Sequence, residues 1–315
     1  MSLVAEADTR TAVNIALRGR KRQLGGMLFR FGLLATLLLA LAILLILLVS
    51  TLIDAWPVLS SRGWGFVKSD TSSLPERAGV WQGLVGSLIL IGFVAAIALP
   101  IGISAAIYLQ EYTRDTRTSR ILIANIRNLA GVPSVVYGIL GLVVFVKALR
   151  AVTGPGSVSG KSYISGGLTL AVLVMPIVIL ITMEALRAVP ANIREGAYGV
   201  GATRWEVVRS HVLPNAAPGI FTGAILALAR AFGETAPLLL VGAVTGYFSS
   251  ASGRTPVEIL QGPYTALPTQ IFAWAKLPAG DWQSNTAAAI IVLLVAILAV
   301  NFLAILLRNR YERTW

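Results

Sequence analysis

Six runs of predominantly apolar residues, each about long enough to cross a bilayer, leave this chain few folds to choose from. A hydrocarbon core about 30 Å thick, crossed at about 1.5 Å per helical residue, asks for roughly 20 such residues. The runs are Met27 to Ile53, Trp81 to Leu109, Leu129 to Val146, Ile164 to Met183, Pro218 to Val244 and Asn285 to Leu307, with a Gly-Val-Pro break at Gly131 to Pro133 near the start of the third. Lipid offers the backbone no hydrogen-bond partners, so each run must satisfy its own N–H and C=O groups as a helix. The expected fold class is therefore all-α, a polytopic membrane protein with six transmembrane helices. With 56% hydrophobic and 13% charged residues, the chain lies far from the roughly one-quarter charged usage of soluble domains. A water-soluble enzyme is excluded, and no repeat of fixed period is present.

Lys and Arg collect in the loops on the cytoplasmic side of a membrane. Of the 26 basic residues, seventeen fall on one side, in clusters at 10–30, 114–127, 187–209 and 308–313. Eight fall on the other side, and Arg230 lies within a span. Both termini are thus predicted cytoplasmic, with the loops near 54–80, 147–163 and 245–284 outside. The expected organisation is a cytoplasmic arm over 1–26, a six-helix domain over 27–307 and a cytoplasmic tail over 308–315. The first apolar run is too long for the core of a cleaved signal, typically about 7–15 residues, and reads as a retained helix. The arm itself carries two acidic and five basic residues, as a disordered or surface-lying segment does.

The net charge of +12 belongs to this loop asymmetry and to lipid headgroups, and nucleic acid is not an expected partner. With no cysteine and a single histidine, His211, the chain can build neither a Cys-ligated site nor a histidine cluster, and no cofactor is expected within it. The loop Gly156 to Ser162 resembles a nucleotide-cradling loop only superficially. That motif needs four residues between its glycines, whereas Gly156 and Gly160 enclose three. ATP hydrolysis must come from elsewhere.

Two segments carry chemistry. The first is the cytoplasmic loop Glu184 to Pro214, about thirty residues patterned as helices rather than as a linker. It contains Glu195-Gly196-Ala197, Gly201 after three residues, and His211-x-Leu213-Pro214 after nine more. Small residues at Gly196 and Ala197, a turn at Gly199 and Gly201 and a second helix ended by Pro214 would make a compact knob. Such a knob either seats in a groove of a partner or lies on the lipid surface with Arg187, Arg194, Arg204 and Arg209 facing headgroups. The second segment is in the fifth span, where Arg230 and Glu234 share a helix face. Charges at that depth are costly, about 2.5–3.5 kcal/mol on insertion scales, and either line a polar pathway or pair for packing. Guanidinium suits an oxyanion because its fixed fork matches two oxygens. Pro237 is expected to bend or break the helix just past Glu234, opening polar backbone beside Thr235. Gly219 and Gly223, four apart on the same span, permit close approach of another helix.

The loop resembles the EAA motif of binding-protein-dependent importers, departing from it at Gly196, where Ala is usual, and at His211, where Ile is usual. The stretches Asn128 to Gly138, Glu184 to Pro190, Ala229 to Leu240 and Tyr264 to Phe272 are similar to the phosphate-importer permeases, and to their PstA branch rather than the PstC branch. The resemblance implies a type I ABC importer permease of MetI-like architecture. It further implies pairing with a PstC-like permease, two copies of a PstB-like ATPase and an external PstS-like phosphate-binding protein. In that family the loop packs into a cleft of the ATPase, which gives Glu195, Gly196, Ala197, Gly201, Leu213 and Pro214 a coupling role. It also places Arg230, Glu234 and Thr235 on the phosphate pathway. Other readings are a permease for molybdate, tungstate or sulfate, a self-sufficient secondary transporter, and a sensor of the importer's loaded state. The outer loop, with Trp274 and Trp282, is expected either to lie along the interface or to contact the binding protein.

Overall fold

The computed structural model describes residues 24–155, 159–243, 255–278 and 280–311. Most of the N-terminal arm, the first three residues of the glycine loop that begins at Gly156, part of the 245–284 loop and the last four residues lie outside that range. Every regular element among the described residues is a helix, with no strand among them, as the apolar runs require.

The chain divides into two units at Ile53 and Asp54, inside the first helix, α1 (Leu24–Arg62). The first unit is helix alone: every described side chain from Gly26 to Ser50 is exposed. A helix this long, apolar on all sides and uncovered by the rest of its own chain, has the length and composition of a membrane span.

The second unit follows in order: α2 (Trp64–Lys68), α3 (Trp81–Ile107), α4 (Arg117–Ala130), α5 (Ser134–Gly141), α6 (Arg150–Thr153), α7 (Tyr163–Arg187), α8 (Ala191–Gly199), α9 (Arg204–Val207), α10 (Leu213–Gly233), α11 (Ala236–Val241), α12 (Pro256–Gln261), α13 (Leu267–Trp274) and α14 (Asp281–Tyr311). Three π-helical turns extend or join these helices, at Tyr108–Tyr112, Leu142–Ala148 and Val208–Val212. Five helices are long and apolar enough to cross a membrane, and the α4–α5 pair makes a sixth if its two arms are one span. Those arms meet at 98°. The third run is therefore two helices broken at Gly131–Pro133, and its expected start at Leu129 belongs to the arm before the bend. Pro133 lacks the N–H to continue α4 and disfavours helical geometry at Val132, so the chain turns there. Tyr137 holds the corner by donating its hydroxyl to the Leu129 carbonyl at 2.9 Å.

Helix α7 is the axis of the second unit, buried along most of its length between α3 and α10. Lipid provides no hydrophobic drive for helices to associate, so contact depends on close packing through small residues. Gly102 of α3 faces Val178, and Gly223 and Gly219 of α10 face Ile181 and Ala185. The close-approach role expected of Gly219 and Gly223 thus has its partner in α7. Leu90, Val94, Val174, Val178, Ala227 and Phe232 fill the seam.

A second, smaller core closes one end. Gln270 of α13 is fully buried and donates to the Gly79 carbonyl at 2.9 Å, and Leu267 N–H donates to Ser87 Oγ at 2.9 Å. Trp274 is buried rather than displayed at an interface, its ring 6.4 Å from Phe66 and 5.4 Å from Trp282. Trp274 therefore serves internal packing, because α13 folds back onto α2 and the start of α14, while Trp282 is half-buried beside it.

Candidate functional site

Helix α10 carries Arg230 one turn before its end. The helix stops at Gly233; Glu234 is already extended, with φ −73° and ψ 121°, and the chain re-enters helix at Ala236. The break lies at Glu234 and Thr235 themselves, not past Glu234. Pro237 explains the shift, since it occupies the first turn of α11, where its missing N–H costs nothing and its fixed φ suits helix entry. Arg230 Nε donates to Glu234 Oε1 at 3.3 Å. The Arg230 side chain is 45% exposed and that of Glu234 17%, so the carboxylate is tucked behind a guanidinium that faces outward from this chain. The pairing runs through Nε, and a guanidinium carries four further N–H donors on its two Nη atoms, the fork that suits a planar pair of oxygens. The Thr235 carbonyl accepts the first helical bond of α11, from Leu239 N at 3.1 Å.

A second interruption leans on the first. Gly138 of α5 is pressed so close to α11 that a Cβ there would lie 2.7 Å from Pro237 Cα and 2.8 Å from Leu240 Cδ1. The bend at Gly131–Pro133 and the break at Glu234–Thr235 therefore belong to two helical segments in direct contact. Tyr137, beside Gly138, lies within electrostatic reach of Arg230. Irregular backbone at membrane depth is tolerated where protein buries it or a polar cavity wets it.

The loop from Glu184 to Pro214 folds as α8, a turn and α9. Helix α8 closes with a Schellman motif: Ala202 N–H reaches the Ala197 carbonyl at 3.1 Å, and Gly201 N–H the Tyr198 carbonyl at 3.0 Å. Gly201 has φ +86°, the left-handed conformation that motif needs. Helix α9 begins with a capping box, Thr203 accepting from Glu206 N–H while Glu206 Oε2 accepts from Thr203 N–H at 2.7 Å. These bonds hold the Glu206 carboxyl below its ordinary range, the backbone N–H contributing most and the Thr203 hydroxyl next.

Ala197 is buried in a small core with Leu186, Val189, Val207, Val212 and Ala216, and Leu213 packs against its edge. Glu195 and Gly196 are exposed, and a Cβ at Gly196 would meet nothing within 4 Å, so Gly in place of Ala there carries no packing consequence. Tyr198, Val200 and Trp205 stand 46%, 86% and 55% exposed around the turn, making an apolar tip on a rigid base. His211 is exposed as well.

The loop departs from expectation at its end. Pro214, itself exposed, does not terminate the second helix; α9 passes through the π-helical turn Val208–Val212 into α10, with Pro214 in the first turn of α10. The widened turn changes the bonding register ahead of the proline, so no i→i−4 bond is demanded of its nitrogen. The arginines also differ from a headgroup-facing set, since Arg194 turns inward and keeps only 20% of its side chain exposed. Nothing in the local pattern distinguished it from its neighbours.

The sequence profile described as "Binding-protein-dependent transport system inner membrane component" matches residues 98–314. The chain is 31% identical over 255 residues to the phosphate transport system permease protein PstA 1 of Mycobacterium tuberculosis, covering 80% of this chain and 78% of that protein. Among solved structures, it resembles a chain of the MetNI methionine ABC transporter in an inward-facing conformation, with TM-score 0.54, 17% identity and coverage of 75% of this chain and 95% of that one. It also resembles a chain of a bacterial alginate ABC transporter in complex with its pentasaccharide-bound periplasmic protein, with TM-score 0.64, 16% identity and coverage of 93% and 99%. At such identities the two structures speak to the fold alone.

Proposed function

Since the chain belongs to the family of binding-protein-dependent transport system inner membrane components, we propose that it is a permease subunit of an ATP-driven importer of inorganic phosphate. It is a transport subunit rather than an enzyme. It lies in the membrane as a multi-pass protein, with both termini in the cytoplasm on the reading of its basic loops. Its partners are a second, PstC-like permease, a PstB-like ATPase in two copies and an external PstS-like phosphate-binding protein. The observation that carries the reading is Arg230, an outward-facing guanidinium backed by Glu234 at a helix break, in a chain 31% identical to a phosphate permease.

The physical argument runs from charge to movement. A dianion leaving water needs donors that replace its hydration, and a guanidinium supplies two parallel N–H groups to two oxygens. Glu234 orients Arg230 and offsets part of its charge, which keeps the site from holding phosphate too tightly to release it. Thr235 offers a hydroxyl on the same unwound segment. One chain provides half of such a site, the other half coming from the second permease. On the other side, the apolar tip of Tyr198, Val200 and Trp205 above Glu195, Gly196 and Ala197 seats in the ATPase, so that nucleotide-driven closure moves the spans.

The test is uptake into proteoliposomes holding this chain, its partner permease and the ATPase, with binding protein outside. ATP-dependent phosphate accumulation that is lost in Arg230→Gln, and that withstands excess molybdate and sulfate, supports the assignment. Preference for either competing anion would replace phosphate as the substrate, and full uptake by Arg230→Gln would remove Arg230 from the pathway.

A further inference from the structure

Helix α3 ends in the π-helical turn Tyr108–Tyr112, and three consecutive residues of that turn each meet an arginine from a segment roughly eighty to ninety positions further along. Gln110 Oε1 accepts from Arg187 Nη2 at 3.3 Å. Glu111 accepts from Arg194 twice, Nη2 to Oε1 at 2.8 Å and Nε to Oε2 at 3.4 Å. The Tyr112 ring lies 5.4 Å from the Arg204 guanidinium carbon, within cation–π range. The three arginines come from the last turn of α7, from α8 and from the first residue of α9, so each helical piece of the loop grips the same turn. A π-helical turn winds less per residue than an α-helix, which gathers successive side chains toward one side.

Arg194 is the centre of this clasp. Besides Glu111, it donates to the Leu186 carbonyl at 2.8 Å and the Val189 carbonyl at 2.7 Å, at the negative end of the α7 dipole. The Glu111 side chain is 9% exposed. A bidentate, nearly buried pair that also binds two carbonyls fixes three segments in one geometry, as an exposed single-point pair does not. The loop is joined to the membrane part through its own chain ends, α7 and α10, and meets the end of α3 through Ile107, Gln110 and Tyr112. The Glu111–Arg194 pair adds the doubly bonded, nearly buried fastening to α3.

We infer that Glu111 and Arg194 are positioning residues that make the loop and the ends of α3 and α7 move as one body, so that a push on the Tyr198–Trp205 tip is delivered to all three helices of the core seam. The inference rests on the importer reading above. Its null is a pair that merely stabilises the fold. A stabilising pair changes how much complex is recovered, whereas a transmitting pair changes how much substrate each ATP moves.

The chain has no cysteine, which allows a direct test in the complete complex. Glu111→Gln and Arg194→Lys are reconstituted with the partner permease, ATPase and binding protein, and phosphate taken up per ATP hydrolysed is measured per assembled complex. The expected result is at least a threefold fall in that ratio with hydrolysis retained, and no change for Arg120→Gln, which removes an exposed pair with Asp115. In the Glu111→Cys/Arg194→Cys variant, a reducible bis-thiosulfonate cross-linker should restore the ratio and reductant should lower it again. A native ratio in both single variants, whatever the recovery of complex, overturns the inference; so does a cross-link that restores nothing. Spin labels at Tyr108→Cys and Ser210→Cys, both exposed positions, give a readout that needs no substrate. Their distance should stay narrow through the nucleotide cycle and broaden on adding Glu111→Gln. Failure of the native complex to take up phosphate would sink the substrate assignment alone, and an unbroadened distance in the Glu111→Gln background would sink the clasp.

Discussion

Replacing Gly138 by alanine tests whether the two interrupted helices really lean on each other. The added Cβ would lie 2.7 Å from Pro237 Cα, about 0.7 Å inside the 3.4 Å at which ordinary contact begins. Its other close neighbour, Leu240 Cδ1 at 2.8 Å, is the end of a flexible side chain and can rotate away. Pro237 Cα cannot, being backbone in a ring-constrained first turn of α11. Either α5 backs off or α11 moves, and overpacking of this kind costs about 1–3 kcal/mol, roughly a 5- to 160-fold fall in the folded-to-unfolded ratio. Gly92 of α3 is the control, because a Cβ there meets nothing within 4 Å and the position is exposed. Alanine at 92 should be neutral or stabilising by up to about 1 kcal/mol through helix propensity. Titrating the purified chain in mild detergent with a denaturing detergent, followed by tryptophan fluorescence, should show an early transition for Gly138→Ala and a native or later one for Gly92→Ala. Coincident transitions for Gly138→Ala and native protein would refute the contact between α5 and α11.

Arg230→Gln should leave assembly intact and reduce ATP-dependent phosphate uptake by about tenfold or more, the worth of a charge-assisted hydrogen bond of about 1.5–3 kcal/mol; loss of the assembled complex on size exclusion would instead assign Arg230 to packing with Glu234. Gly201→Ala places a side chain at φ +86°, which should cost about 1–2 kcal/mol at the Schellman turn, and amide exchange at Ala202 should speed up if the turn opens. The Glu206 carboxyl is held below its ordinary value of 4.5 by the capping box, so its contribution to the start of α9 is present above that value and is lost as pH falls through the lowered one. Protection of the Thr203 amide, taken relative to its intrinsic exchange rate at each pH, should fall over that acidic window, and Glu206→Gln should flatten the profile; a native protection factor that does not change with pH would count against the box. Tyr264, fully buried with its hydroxyl directed at the Leu238 carbonyl at 3.4 Å, is pushed above the ordinary tyrosine range first by burial and then by Tyr163. Stability from keeping it neutral is present below about pH 10 and declines above it, and Tyr264→Phe should remove that alkaline loss in thermal melts.

What a membrane demands is local, and local demands are legible. Each span must satisfy its own backbone, so six apolar runs read directly as helices, and the Gly-Val-Pro sequence at Gly131 to Pro133 reads as a bend wherever the partners lie. The glycine of the EAA-like loop was legible for the same reason: its left-handed turn is made by five consecutive residues, Ala197 to Gly201, and the Ala202 N–H that closes it. Arg230 and Glu234 stood out because charge is rare inside a span.

Contacts between distant segments were not legible. Arg194 and Arg209 look alike as basic residues of a loop on the positive side, yet Arg194 is turned onto Glu111, eighty-three positions away in the chain, because α3 ends in a turn that points there. Trp274 reads as a residue for the membrane interface or for the binding protein until α13 is seen folded onto Phe66, and Pro214 reads as a terminator until the π-helical turn before it removes the need for its missing N–H. By itself the sequence determined which segments enter the membrane, where charge sits among them and which turns need glycine, since those follow from the free energy of each stretch in lipid and water. Only the tertiary structure decided which arginine is a fastening and which a solvated charge, and where along α10 the helix gives way, since those depend on what the packed neighbours offer in return.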